Sequence, residues 1–439
     1  MTAALAAREG GVEPLILERD SICAGSTALS SGMVPACGTR QQLIHEIDDS
    51  VDIMSADIQN KARHQANPAL VQTVCEASGP LIDWLSQTYD IEFTLVEGFL
   101  YPGHSRLRMH APPSRSGADL INGLRSAVED AGVTIMTDCR VDQLFVNQQG
   151  RVTGIQLQRP DNSIEHIACQ SIVLACNGFG GNPDMVKQYI PEMSEALYFG
   201  HMGNQGDAIT WGLELGAMTH DLGSYQGHGS VAHPHGILIS WALMMEGGFQ
   251  INALGERFSN EHGGYSEQAR QVIEQPQGIA WNIYDSRLHN IVKDFEDYRQ
   301  AEKSGAVIIA QDVQQLAEIT ATPLSQLQQT IQQVNDMAAG KGQDAYGRDF
   351  TTRPALTPPY YTTKVTGALF HTQGGLVVDE QARVLRQSGG SFPNLFAGGG
   401  AACGVSGPED WGYLSGNGLL TALTLGRIAG TNAGKMLHL

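Results

Sequence analysis

Glu18 closes the run Glu13 to Glu18, EPLILE, a short apolar stretch that reads as a buried strand ending in an acid. A carboxylate in that place accepts the hydroxyl protons of a ribose, the chemistry of a dinucleotide-binding βαβ unit. The alanine-rich, helix-prone stretch Thr2 to Glu9 precedes it and is stopped by Gly10 and Gly11. Such a unit opens with a strand and a Gly-rich turn, and here only its later half is legible. The expectation is a chain that begins just past the last phosphate-binding glycine, through an internal start codon or a clipped gene model. Two more apolar runs lead into glycine loops: Ser171 to Ala175 into Cys176-Asn177-Gly178-Phe179-Gly180-Gly181, and Leu395-Phe396-Ala397 into Gly398-Gly399-Gly400. Fully buried strands that end in unhindered backbone suit close approach to a ligand.

Metal chemistry is not expected. The seven cysteines are scattered, odd in number and never spaced as a C-x-x-C pair, which argues against both a zinc site and a disulfide framework. The histidines of Gln226-Gly227-His228-Gly229 and His233-Pro234-His235 lack neighbouring cysteines or carboxylates, so they read as loop histidines near a hinge.

The elements that position these residues follow from hydrophobic periodicity. Thr39 to Asp90 is helical, with Leu70, Val71, Val74, Leu81, Ile82 and Leu85 on one face; Gly117 to Ala131 is a further amphipathic helix. Val133 to Met136, Arg140 to Val146 and Val152 to Leu157 read as strands, and a helix from Asn417 to Met436 closes the chain. Between about Leu222 and Thr366, glycine clusters give way to Gln- and Ala-rich helices such as Leu324 to Ala338. Pro354, Pro358 and Pro359 mark the exit of what reads as an inserted lid.

At 439 residues and 42% hydrophobic content, the chain is long enough for one large or two moderate cores, and two joined domains are expected. A formal net charge of −19 repels polyanions and excludes nucleic-acid binding as an expectation. No run approaches the roughly 20 apolar residues of a membrane span, and no signal-peptide pattern opens the chain, so a cytoplasmic protein is expected.

Several motifs taken in order resemble the fumarate reductase and succinate dehydrogenase flavoprotein superfamily, which also contains the 3-ketosteroid dehydrogenases. They are LILERD (Leu15 to Asp20), GSTALSSGM (Gly25 to Met33), Gly206-Asp207, NALGERFSNE (Asn252 to Glu261), FHTQGGLVVD (Phe370 to Asp379), NLFAGGG (Asn394 to Gly400) and SGNGLLTALTLGRIAG (Ser415 to Gly430). The resemblance implies an α/β fold in which a Rossmann-type, glutathione-reductase-like FAD-binding domain is interrupted by an α+β capping domain. The expected boundaries are 1–222 and 367–439 for the FAD-binding domain and 223–366 for the cap.

The cofactor that the resemblance implies is FAD. Glu18 would take the adenosine ribose, while Gly25, Ser26, Thr27, Ser31 and Gly32 would approach the diphosphate and flavin. Val141, Ala175 and Gly178 belong to the same expected surface. Gly399 and Gly400 would lie against the ribityl chain, and Gly416, Asn417, Gly418 and Leu419 open a helix whose positive end faces the flavin's pyrimidine edge. Gly25 to Met33 lacks the histidine that bonds covalently to flavin in succinate dehydrogenases, so non-covalent FAD is expected.

The substrate residues depart from fumarate reduction. Tyr265 stands where fumarate reductases have their proton-donating arginine, and Tyr413 replaces a second, substrate-binding arginine. Both substitutions resemble the 3-ketosteroid dehydrogenases. By that resemblance Tyr265 takes a proton alpha to a carbonyl while Tyr413 and Ser415 hold the developing enolate. A phenol of ordinary pKa near 10 needs help at neutral pH, and His262 is the candidate helper. His371 matches a histidine that binds substrate carboxylate in fumarate reductases.

The expected activity is therefore dehydrogenation or reduction next to the carbonyl of a cyclic ketone, with a small-molecule substrate and an unidentified electron partner. Two alternatives remain open: a fumarate-reductase-like enzyme that takes small unsaturated carboxylates on His371 and Arg257, or a truncated fragment without catalysis.

Overall fold

The closing helix α2 (Asn417–Met436) packs on the opening helix α1 (Thr2–Glu9) through glycines one turn apart. A Cβ on Gly430 would run into the carbonyl of Ala3, and one on Gly426 into Thr2 Oγ1. Small residues on both helices thus let the backbones touch, and Leu5 of α1 is fully buried.

The computed structural model describes residues 1–98 and 100–436, in two compact units. The first comprises Met1–Pro191, Gly200–Tyr225 and His371–Leu439; the second comprises Glu192–Phe199 and Gln226–Phe370.

In the first unit, β1 (Leu15–Leu17) runs parallel to β2 (Thr134–Met136), Leu15 facing Thr134. Separately, β3 (Ile172–Leu174) runs parallel to β4 (Ser391–Ala397), Leu395 facing Ile172. The sequence led us to expect β1 and β3 to be buried, and the structure corrects this. Leu15 is exposed, Ile16 and Leu17 are half-buried, and only Leu174 of β3 is buried. Each strand is at the edge of its own sheet among the described residues, and a parallel strand is fully buried only when flanked and covered on all sides.

The long helix Pro68–Tyr89 starts where the Asn67 side chain accepts from Ala69 and Leu70 N–H groups, and it ends at the left-handed Asp90. Its expected apolar face is the buried one. The hairpin Arg140–Val146 and Val152–Gln158 gains a third strand, Ile164–Ala168, that sequence reading missed.

The second unit is organised by a seven-stranded sheet as well as helices. Its long strand Tyr360–Thr372 pairs antiparallel with Ile279–Asp285 and Val307–Ala310 and parallel with Leu197–Tyr198. In the same unit Arg257 and Arg348 both grip Glu261, at 2.7 and 2.9 Å. Arg257 also pairs with Asp344. Burial opposes the Glu261 charge, but Arg348 and Arg257 prevail and hold its carboxyl down to about 2. No helix among the described residues is long and apolar enough to cross a membrane.

Candidate active site

The expected cofactor residues divide into two kinds. Glu18 ends β1 half-exposed, one carboxylate oxygen pinned by the Asp20 N–H at 3.0 Å. Gly25 adopts a left-handed φ of 56° with open space on the side where a Cβ would stand. Gly399, at φ 60°, is likewise half-exposed, and a Cβ there would only touch Ala422. Thr27, Ser31 and Val141 are half-buried, and Ala175 is exposed at the end of β3. Ser26 Oγ already accepts from His201 N–H at 3.1 Å and Asn204 Nδ2 at 2.9 Å, which leaves only its own proton to give.

Three other glycines serve close packing. A Cβ on Gly32 would strike the Ser116 carbonyl, one on Gly178 would strike Thr372 Oγ1, and one on Gly400 would strike Asn177 Oδ1. At each of the three, the missing side chain lets the chain pack closely within the unit.

At the start of α2, Gly416 leads into Asn417, Gly418 and Leu419, and the N–H groups of Gly418 and Leu419 fall in the first turn, where no intrahelical acceptor exists. Both residues are half-exposed. Free N–H donors at a helix start, glycine backbone open to one side and a strand-end carboxylate match the acceptor-rich pyrimidine edge, phosphates and ribose hydroxyls of a flavin dinucleotide. The residues present fit FAD.

His371, Tyr413 and Ser415 also lie in the first unit. The His371 ring stands edge-on to Tyr413, centroids 5.7 Å apart and planes at 82°. It lies over Gly418, whose hypothetical Cβ would be 2.6 Å from Nε2. Burial of the ring lowers its pKa to about 4, the residue as a whole being half-buried, so the imidazole is neutral near pH 7. Tyr413 and Ser415 are buried. The Ser415 carbonyl accepts from His104 Nε2 at 3.0 Å, a buried histidine whose pKa burial lowers to about 4. Nothing in the motif pattern pointed to His104, which reaches Ser415 only through the fold.

Tyr265, in the second unit, is the first residue of the helix Tyr265–Ile273. It stacks on His228 at 4.9 Å; His228 stacks on Phe370 at 5.3 Å, Phe370 on Phe199 at 4.8 Å, and Trp241 meets His228 edge-on. His228 is therefore not the loop histidine expected from its neighbours. It is buried in the strand Tyr225–Ala232, and burial lowers its pKa to about 3. His262, the expected helper of Tyr265, turns its Nε2 to the Met244 carbonyl at 3.1 Å. Arg257, proposed as a carboxylate binder, is committed to Glu261 and Asp344 and is nearly enclosed.

Fold and site together define an FAD-dependent oxidoreductase, of the dehydrogenase and reductase class that works on carbon–carbon bonds. The chain belongs to the FAD binding domain family, whose model matches residues 1–419. It is similar to a probable fumarate reductase of Shewanella frigidimarina (strain NCIMB 400), 29% identical over 436 residues that span 99% of this chain and 72% of the relative. Among solved structures it resembles an open flavocytochrome c3 fumarate reductase, at a TM-score of 0.83 and 28% identity, covering 99% of this chain and 76% of that one. The fold also matches a 3-ketosteroid-Δ4-(5α)-dehydrogenase of Rhodococcus jostii RHA1 at a TM-score of 0.77 and 23% identity, over 99% and 94% of the two chains.

Proposed function

We propose that this chain, with FAD bound, moves a hydride across a carbon–carbon bond beside the carbonyl of a cyclic, hydrophobic ketone or enone. The observation that carries this reading is geometric: the His371 ring stands edge-on to the Tyr413 phenol, two residues before Ser415, while Arg257 is held elsewhere by Glu261 and Asp344, and burial favours the uncharged form of His371. Bound FAD supplies the hydride acceptor or donor for the beta carbon. Glu18 holds its ribose, the backbone from Gly25 to Thr27 and at Gly399 approaches its phosphates and ribityl chain, and the Gly418 and Leu419 N–H groups favour negative charge on the ring. Tyr413 and Ser415 donate toward the ketone oxygen as negative charge develops there. Tyr265 exchanges the alpha proton, its phenol on the apolar stack of His228 and Phe370.

A second reading, reduction of a small unsaturated carboxylate, is favoured by His371 and by the similarity to a probable fumarate reductase. The experiment that separates them offers cyclic enones and fumarate with a reduced dye as electron donor, and ketosteroids with an oxidised dye as acceptor, to the FAD-loaded protein, wild type and Tyr413→Phe. Turnover of ketones that falls in the variant supports the first reading; turnover of fumarate alone supports the second.

A further inference from the structure

Gln373 stands between two groups of the first unit. Its Nε2 is 2.8 Å from His371 Nδ1, and its Oε1 is 2.8 Å from Ser406 Oγ. Ser406 Oγ in turn accepts from Asn417 Nδ2 at 3.1 Å. Gln373, Ser406 and Asn417 are all buried, so water does not compete for these bonds.

We propose that Gln373, oriented by Ser406 and Asn417, is a positioning residue that fixes His371 as the Nε2–H tautomer and so makes its ring a donor toward a substrate oxygen. The inference rests on the substrate-facing role given to His371 above. The Ser406 hydroxyl has one proton. With Asn417 donating into its oxygen, that proton goes to Gln373 Oε1. The Gln373 amide then turns its N–H toward His371 Nδ1, which must present a lone pair, and the single proton of the neutral ring sits on Nε2.

Reversing all three bonds would leave the Asn417 amide N–H groups buried without an acceptor. In the direction described, the orphan is Asn417 Oδ1. A buried N–H without a partner is rarer than an under-satisfied carbonyl, which favours the direction described. The Thr372 carbonyl, 3.3 Å from Nδ1, pulls the other way, but from a longer distance than the 2.8 Å of Gln373. Nε2 projects over Gly418, where the absence of a side chain leaves room for it. A proton on Nε2 attracts a carbonyl oxygen, whereas a lone pair there would repel it. Burial, which lowers the ring's pKa to about 4, keeps this donor uncharged and suits it to a ketone.

The test is ring-nitrogen NMR on FAD-loaded protein labelled with 15N-histidine, the His371 signals being assigned by their loss in His371→Asn. The expected result is Nε2–H in the wild type. Gln373→Glu, which replaces the donor by a carboxylate acceptor, moves the proton to Nδ1 and raises the pH at which the ring becomes charged. Ser406→Ala, which lets the amide rotate, gives mixed tautomers and serves as the second variant should Gln373→Glu fail to fold. A wild-type Nδ1–H ring, or an Nε2–H ring unchanged in the folded variants, overturns the proposal. Undiminished turnover in His371→Asn would instead remove the substrate-facing role, leaving the tautomer assignment as it was.

Discussion

The Tyr265 phenol lies on the His228 imidazole with ring centroids 4.9 Å apart and planes 26° apart, so it rests on a neutral, buried ring. The proton exchange proposed for Tyr265 therefore draws no help from a cation at His228. Removing the hydroxyl by Tyr265→Phe is expected to keep the stack and FAD binding while lowering kcat by about 10²–10⁴-fold. Steady-state rates on a ketone, with flavin content measured alongside, check this; unchanged kcat would refute the role.

Acid should destabilise the protein well before its carboxylates are protonated. Burial lowers His104 and His110 to about 4 and His228 to about 3. The unfolded chain takes up their protons below about 6.5, and the folded chain does so only near 4 or 3. Stability is thus full above 6.5 and falls as pH drops, by at most about 1.36 kcal/mol per pH unit for each histidine. Glu261, held down to about 2, adds a further loss below about 4.5. Thermal unfolding between pH 7.5 and 4 checks the sign; a Tm independent of pH across that range would be inconsistent with neutral buried histidines.

Glu261→Gln leaves Arg257 and Arg348 facing each other without their shared carboxylate. A buried pair broken in this way costs about 3–5 kcal/mol. Urea unfolding of the variant should show that loss, and flavin affinity should be nearly unaffected if the network is purely structural.

Gly430→Ala weighs two opposing effects. Alanine favours a helix over glycine by about 1 kcal/mol, yet its Cβ would strike the Ala3 carbonyl. The overlap is with backbone, which cannot rotate away, so net destabilisation of about 1–3 kcal/mol is expected. A rise in Tm would show that α1 does not pack on α2 in this way.

Much of the fold was legible where periodicity was strong. The helix Leu324–Ala338 has the ends read from sequence and the helix Asn417–Met436 the expected start, because apolar spacing and a flanking Pro or Gly mark them. Ile164–Ala168 was missed because Glu165 and His166 dilute a short apolar pattern, and Pro358-Pro359 drew attention away from the Thr-rich strand that begins at Tyr360. For the proposed site, motif residues such as Glu18 and Tyr413 could be put forward from local sequence. His104, Ser406 and the His228 stack could not, since each acquires its partner only when distant segments meet. The partners of His262 and Arg257 were equally hidden: both stand close in sequence to the motif, and their side chains bond to the Met244 carbonyl and to Glu261.

The most direct test of the central claim follows the flavin spectrum anaerobically in FAD-loaded wild type and Tyr413→Phe. Oxidised protein is mixed with a saturated cyclic ketone or succinate, and reduced protein with the matching enone or fumarate. The account expects the flavin band to respond to the ketone or enone, much more slowly in Tyr413→Phe, and to ignore the dicarboxylates. A response to fumarate alone, undiminished in Tyr413→Phe, would contradict a neutral ketone-binding site.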